Sequence, residues 1–350
     1  MNKEFKLERL VRPNVMALKP YSSARDEFTN FESDMIYLDA NENPFQTSVN
    51  RYPDPWQKQL KSVIGAQKQV SIENMLLGNG SDEVLDVLIR AFCEPTIDSV
   101  ITLPPTYGMY KVLADIHNVK NIEVQLTKDF EPNVDEILKH SSEKTKLLFI
   151  CNPNNPTGNT FSEKKVSRLL DNFNGIVVID EAYIDFSEKE SWLNRLEAYP
   201  NLVITQTLSK AYGMAGIRLG ICYASAEIIS VLNKIKPPYN VNSLTQSFAI
   251  NRLKDLNKLK VHIDSILIEK KSLYKVLLQV KFIKNIIPSD TNFLLCTVDN
   301  ADLRYQQLID HGIVVRNRSS QVLCENTLRF TIGTSEENTN LINTLKKLEA

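Results

Sequence analysis

Four short stretches of this 350-residue chain constrain its fold more than any others: SVITL (99–103), KLLFIC (146–151), GIVVID (175–180) and NLVITQ (201–206). Each is apolar at consecutive positions, not alternate ones, and rich in β-branched residues. A strand buried on one face alternates, so uninterrupted runs predict strands covered on both faces, as in a mainly parallel sheet flanked by helices. Helix-period stretches accompany them; in DEVLDVLIRAF the apolar Leu85, Leu88, Ile89 and Phe92 fall on one face. Open α/β sheets bind ligands beyond the carboxyl ends of their parallel strands. The segments that follow the four runs are PPTYGMY, NPNNPTG, DEAY and TLSK. They bring Tyr107, Asn155, Asp180, Tyr183 and Lys210 to one rim.

Residues 1–35 are polar and irregular and read as an arm laid over a large domain at 36–245. PPYNVNSLTQ reads as a linker, followed by a lysine-rich helical stretch from about 245 to 280. Two further candidate strands, GIVVR (312–316) and TLRFTIG (327–333), and a last helix opening at a Thr334/Glu337 capping box indicate a smaller α+β domain at 246–350. That helix is expected to bury Leu341, Ile342, Leu345 and Leu348.

Lys plus Arg (41) and Asp plus Glu (42) nearly cancel, which argues against a nucleic-acid or membrane-surface partner. The N-terminal MNKEFKLERLVRPNV has no apolar core of a secretory signal, and no apolar run approaches the ~18–20 residues of a membrane span. Five scattered cysteines without CxxC spacing and four dispersed histidines suggest reduced thiols in a cytoplasmic protein and no metal site.

TLSKAYGMAGIRLG (207–220) places Lys210 among Thr207, Ser209, three glycines and Arg218. A lysine in such a loop is ordinarily solvated. An imine-forming lysine needs a lowered pKa and a fixed position, and Arg218 would help to lower it. GNGSDE (78–83) is either a plain N-cap turn or a phosphate cradle in which Gly80, Ser81 and the helix dipole act together. Asp180, ending an apolar strand, either pairs with an arginine or keeps a pyridine ring nitrogen protonated. Asn155 and Tyr183 could then hydrogen-bond a ring hydroxyl, and Tyr107 could stack on the ring. Taken together, the group describes a pyridoxal-phosphate site.

With YLDANENPF, RYPDP, GNGSDEVLDVLIRAF, PPTYGMY, NPNNPTG, DEAYIDF, TLSKAYGMAGIRLG, PPYNVN and LRFTIGT in this order, the chain resembles the fold-type I aminotransferases, in the branch of the histidinol-phosphate aminotransferases. The resemblance implies pyridoxal 5'-phosphate as cofactor and a ping-pong exchange of histidinol phosphate and 2-oxoglutarate for imidazole-acetol phosphate and glutamate, through pyridoxamine phosphate. It implies Lys210, Asp180 and Tyr183 as catalytic groups, with Asn155 and Tyr107 at the ring and Gly80, Ser81, Thr207, Ser209 and Arg218 at the phosphate. Tyr52 would reach the phosphate of a neighbouring subunit, hence a homodimer with shared sites. Arg329 would anchor the substrate carboxylate, and Arg316 and Tyr21 the substrate phosphate, with Arg318 a competitor for that role. An aromatic-amino-acid aminotransferase and a phosphothreonine decarboxylase of the same fold are the alternatives.

Overall fold

The computed structural model describes residues 5–20 and 36–349. Among these residues the strands form two sheets. The larger contains Met75–Asn79 (β1), Ser99–Thr102 (β2), Lys120–Glu123 (β3), Thr145–Cys151 (β4), Ile176–Asp180 (β5), Leu202–Thr207 (β6) and Leu219–Tyr223 (β7). Their order is β1-β7-β6-β5-β4-β2-β3. The four apolar runs form the centre: β2, β4, β5 and β6 pair in parallel, and every residue of β2, β5 and β6 is buried. Successive residues feed two different cores. Leu148, Ile150, Val177, Ile179 and Ile204 pack on one side, and Leu147, Phe149, Ile176, Val178 and Val203 on the other. Each such side chain contributes ~1.5–3 kcal/mol on burial, so a polar residue within these runs would be costly on either face.

β7 returns antiparallel between β6 and β1, a feature that the apolar pattern does not announce. Its passage requires Gly220, where an added Cβ would lie 2.3 Å from the backbone nitrogen of Ser81. The helix Ser81–Phe92 therefore starts in direct contact with β7.

The smaller sheet is antiparallel, with Ile283–Ile287 (β8), Phe293–Val298 (β9), Arg316–Asn317 (β10) and Thr327–Thr331 (β11) in the order β10-β11-β9-β8. TLRFTIG supplies β11, but GIVVR contributes only Arg316 to a ladder. Val314 is 81% exposed, so the apolar run before Arg316 is a loop that buries Val315. The helical stretch expected at 245–280 is two helices, Ser243–Leu253 and Leu256–Leu277. Asp255 interrupts it, its side chain accepting from the Lys258 N–H at 3.1 Å as an N-cap. SLTQ is the opening of the first helix and not linker, with Asn242 capping Thr245 at 2.9 Å. That helix packs Ala249, Ile250 and Leu253 into a core of the larger sheet, while Leu273 and Leu277 of the next belong to the core of the smaller one.

Near the N-terminus, Leu10, Val11 and Val15 pack with helix Ser81–Phe92, and Arg12 pairs with Glu94 at 3.0 Å. The capping box at Thr334 forms, and Leu341 and Leu345 of the last helix are buried; Ile342 and Leu348 pack beside them, partly exposed. Among the described residues no helix is long and apolar enough to cross a membrane.

Candidate active site

Asp180 is the last residue of β5 and is 3% exposed. Its Oδ2 accepts from the Tyr110 hydroxyl at 2.7 Å and its Oδ1 from the Ala182 N–H at 3.2 Å. Burial raises its pKa, while these hydrogen bonds oppose the rise. Among the described residues no cation pairs with it, so the arginine ion pair considered from sequence is not formed. Tyr107, half-buried after β2, donates to Asp82 Oδ1 at 3.1 Å and meets the Tyr110 ring edge-on at 5.5 Å. Tyr110 in turn stacks on Phe149 at 4.9 Å.

The loop after β4 carries Asn155, whose Nδ2 donates to the Tyr183 hydroxyl at 3.4 Å. Its Oδ1 accepts from Arg329 of β11 at 2.5 Å, so the two sheets meet at this residue. Lys210 Nζ lies 5.8 Å from the centre of the Tyr183 ring, on whose other contacts Phe293 sits edge-on at 5.3 Å.

Lys210 does not open a helix. It lies in the turn that leaves β6 and passes through a single 3-10 turn, Ala215–Ile217, into β7. The turn is braced locally: Thr207 Oγ1 donates to Ser209 Oγ at 3.0 Å and accepts from the Ser209 N–H at 3.2 Å. The amine has no hydrogen-bond or ion-pair partner among the described residues. Desolvation lowers its pKa, Arg329 and Arg218 add to the fall, and Asp180 and Asp82 oppose it. A larger uncharged fraction is what a nucleophilic lysine requires.

Facing this turn, Gly80 adopts φ +86° and Ser81 begins the helix, with no side chain capping the N-terminus. The first-turn N–H groups are therefore available to an anion. Arg218, itself at φ 54°, rests on the turn: a Cβ on Gly80 would lie 2.6 Å from its Nη2. Its nearest acid is Asp82, at 3.7 Å.

On the smaller sheet Arg316 and Arg329 are register partners across β10 and β11. Burial lowers the pKa of Arg329 to about 10, with the neighbouring Arg318 and Arg316 contributing, and burial likewise lowers that of Arg318. The Nε atoms of Arg318 and Arg329 are buried without an acceptor, and no carboxylate pairs with any of the three among the described residues. Arg329, whose charge acts on Lys210, and its neighbours Arg316 and Arg318 thus present positive charge with no paired carboxylate among the described residues, chemistry suited to an anion.

Tyr52 stands apart; it is 51% exposed and stacks on Tyr239 at 4.4 Å. Tyr21 lies outside the described residues. Sequence reasoning missed Tyr110, Asp82 and Phe293. The first two sit inside quoted motifs, PPTYGMY and GNGSDE, but their partners are set by tertiary contacts. Among the described residues no three His, Cys, Asp or Glu side chains are grouped to hold a metal.

The sequence matches the family Aminotransferase class I and II over residues 34–345. The chain belongs to this aminotransferase family. It is 62% identical to the histidinol-phosphate aminotransferase of Flavobacterium johnsoniae, covering 98% of this chain and 99% of that one. The fold is similar to the crystal structure of the histidinol-phosphate aminotransferase from Clostridium acetobutylicum, with TM-score 0.79, 26% identity and coverage of 86% of this chain and 91% of that one. It is also similar to the Sinorhizobium meliloti histidinol-phosphate aminotransferase solved with pyridoxal-5'-phosphate, with TM-score 0.78, 22% identity and coverage of 86% and 84%. Among the described residues of this aminotransferase the site fits that cofactor: a buried carboxylate lacking a cation, an amine lacking a partner, and an uncapped helix end under a guanidinium.

Proposed function

We propose that this aminotransferase uses pyridoxal 5'-phosphate to exchange the amino group between L-histidinol phosphate and 2-oxoglutarate, giving imidazole-acetol phosphate and L-glutamate, as a step of histidine biosynthesis. The observation that carries the substrate reading is the group of Arg316, Arg318 and Arg329, none paired with a carboxylate among the described residues, with the charge of Arg329 acting on Lys210. One substrate brings a phosphate and the other two carboxylates, and each needs a cation in the same place.

The bound cofactor supplies an aldehyde that takes up the amino group and a ring that accepts the electrons of the substrate Cα–H bond. Lys210 would hold it through its side-chain amine, and the same Nζ would carry the proton at the substrate Cα. Asp180, braced by Tyr110, would keep the ring nitrogen protonated. Asn155 and Tyr183, already within hydrogen-bond distance of each other, address the ring hydroxyl, and Tyr107 packs on the ring. Gly80, Ser81, Thr207, Ser209 and Arg218 hold the cofactor phosphate. Arg329 takes the α-carboxylate of glutamate; Arg316 and Arg318, with Tyr21, take the substrate phosphate.

A homodimer with shared sites follows from the role assigned to Tyr52, which its own chain leaves half exposed. The five cysteines are free and buried, in keeping with a reducing cytoplasm. The test is to add each amino donor to the purified holoenzyme and follow the visible absorbance of the lysine-bound cofactor. Glutamate and histidinol phosphate should each discharge it, and persistence of the absorbance with both overturns the proposal.

A further inference from the structure

We infer that Lys236, Asn240 and Glu83 form a positioning network that sets the phosphate cradle of one protomer and aims Tyr52 at the cradle of a second copy. The inference rests on the proposed roles of the 78–81 turn and Tyr52. Lys236 is 8% exposed, yet its ammonium is well supplied with acceptors. It donates to the carbonyls of Pro55 at 3.2 Å, Pro237 at 3.0 Å and Pro238 at 3.3 Å, and to Asn240 Oδ1 at 3.2 Å. Proline-rich strips lack the N–H groups that would tie them to each other by backbone ladders. A buried ammonium, with three hydrogens to place, performs that task instead. One strip carries Tyr52 and the other Tyr239, and the two rings stack at 4.4 Å.

Asn240 extends the connection to the cradle. Its Nδ2 donates to the Leu77 carbonyl at 2.9 Å and to Glu83 Oε2 at 2.8 Å. The same carboxylate oxygen accepts from the Asn79 N–H at 2.5 Å, immediately before Gly80. Glu83 thus fixes the turn just before Gly80 and leaves the N–H groups at the helix start for the phosphate. A buried ion of this kind contributes little to net stability compared with an apolar side chain of similar volume. Its value here is geometric, because none of the three residues belongs to the group around Lys210.

The experiment uses full-length protein stripped of cofactor and titrated with pyridoxal phosphate. Lys236→Met and Asn240→Ala are expected to raise the dissociation constant on the order of tenfold. Glu83→Gln, whose amide oxygen still accepts from Asn79, should stay near the wild-type value. Leu232→Ala, a core truncation in the preceding helix, controls for general loosening: it should lower the melting midpoint and leave cofactor affinity unchanged. Lys236→Met combined with Tyr52→Phe should cost less than the sum of the two single losses, since part of the Lys236 effect passes through Tyr52. Dissociation constants within about twofold of wild type, or losses that add fully in the double variant, overturn the inference. Should Lys236→Met not fold, Asn240→Ala decides. Failure of the unsubstituted protein to bind pyridoxal phosphate would instead reject the underlying site assignment.

Discussion

Neighbouring acids at the end of β5 do different work because their partners differ. Asp180 faces the site with neutral donors only, whereas Glu181 turns away to accept from Ser191 at 2.5 Å, the Trp192 N–H at 2.7 Å and Gln206 at 2.9 Å. Burial raises the Glu181 pKa from 4.5 to about 7 despite those bonds. A carboxyl that holds its proton more tightly when folded weakens the fold as pH rises from its unfolded to its folded pKa. Between about pH 4.5 and 7, stability should therefore fall by on the order of 3 kcal/mol from this group. Urea unfolding across that window should show the slope, and Glu181→Gln should flatten it. For Lys210, substitution by alanine should reduce turnover by roughly a thousandfold or more, as judged by steady-state rates, with cofactor retained through its phosphate contacts.

Among the elements, helix starts and strand ends carry most of the information. The last helix illustrates a fully local device: Thr334 and Glu337 cap it reciprocally, and both were legible from four residues of sequence. Thr334→Ala should cost about 1 kcal/mol in chemical unfolding and leave the kinetics unchanged. The two-residue β10 is the opposite case. GIVVR has the composition of a strand, but only Arg316 of it pairs, because β10 is an edge strand with one neighbour and the loop before it turns Val314 to solvent. The break at Asp255 was equally hidden, since the lysine-rich pattern continues on both sides and only the capping bond marks the new start.

At the scale of the whole molecule, the site exists where the two sheets touch. Arg329 reaches Asn155 from the smaller sheet, and Asp290 pins the loop bearing Asn155 by accepting from Thr160 Oγ1 at 2.5 Å and donating its N–H to Gly158 O at 2.7 Å. Cofactor bound at such a junction stabilises the folded state by mass action. Pyridoxal phosphate should therefore raise the melting midpoint of the stripped protein. Gly80→Ala should lose most of that rise, since its Cβ would press on Arg218 at a backbone angle that disfavours side chains. A thermal-shift titration checks both.

The sequence by itself determined the two-faced parallel centre, because continuous apolar runs have no other economical burial, and it determined which residue types stand at the strand ends. Their chemical character was readable there because Lys210, Asp180, Asn155 and the glycine turns stand in short segments that directly follow or face those runs. Tertiary structure alone decided that Tyr110 and not an arginine braces Asp180, that β7 runs back beneath the cradle, and that Arg316 faces Arg329 across a ladder. Such pairings join residues far apart in the chain, and no local period or propensity encodes a partner that only folding brings near.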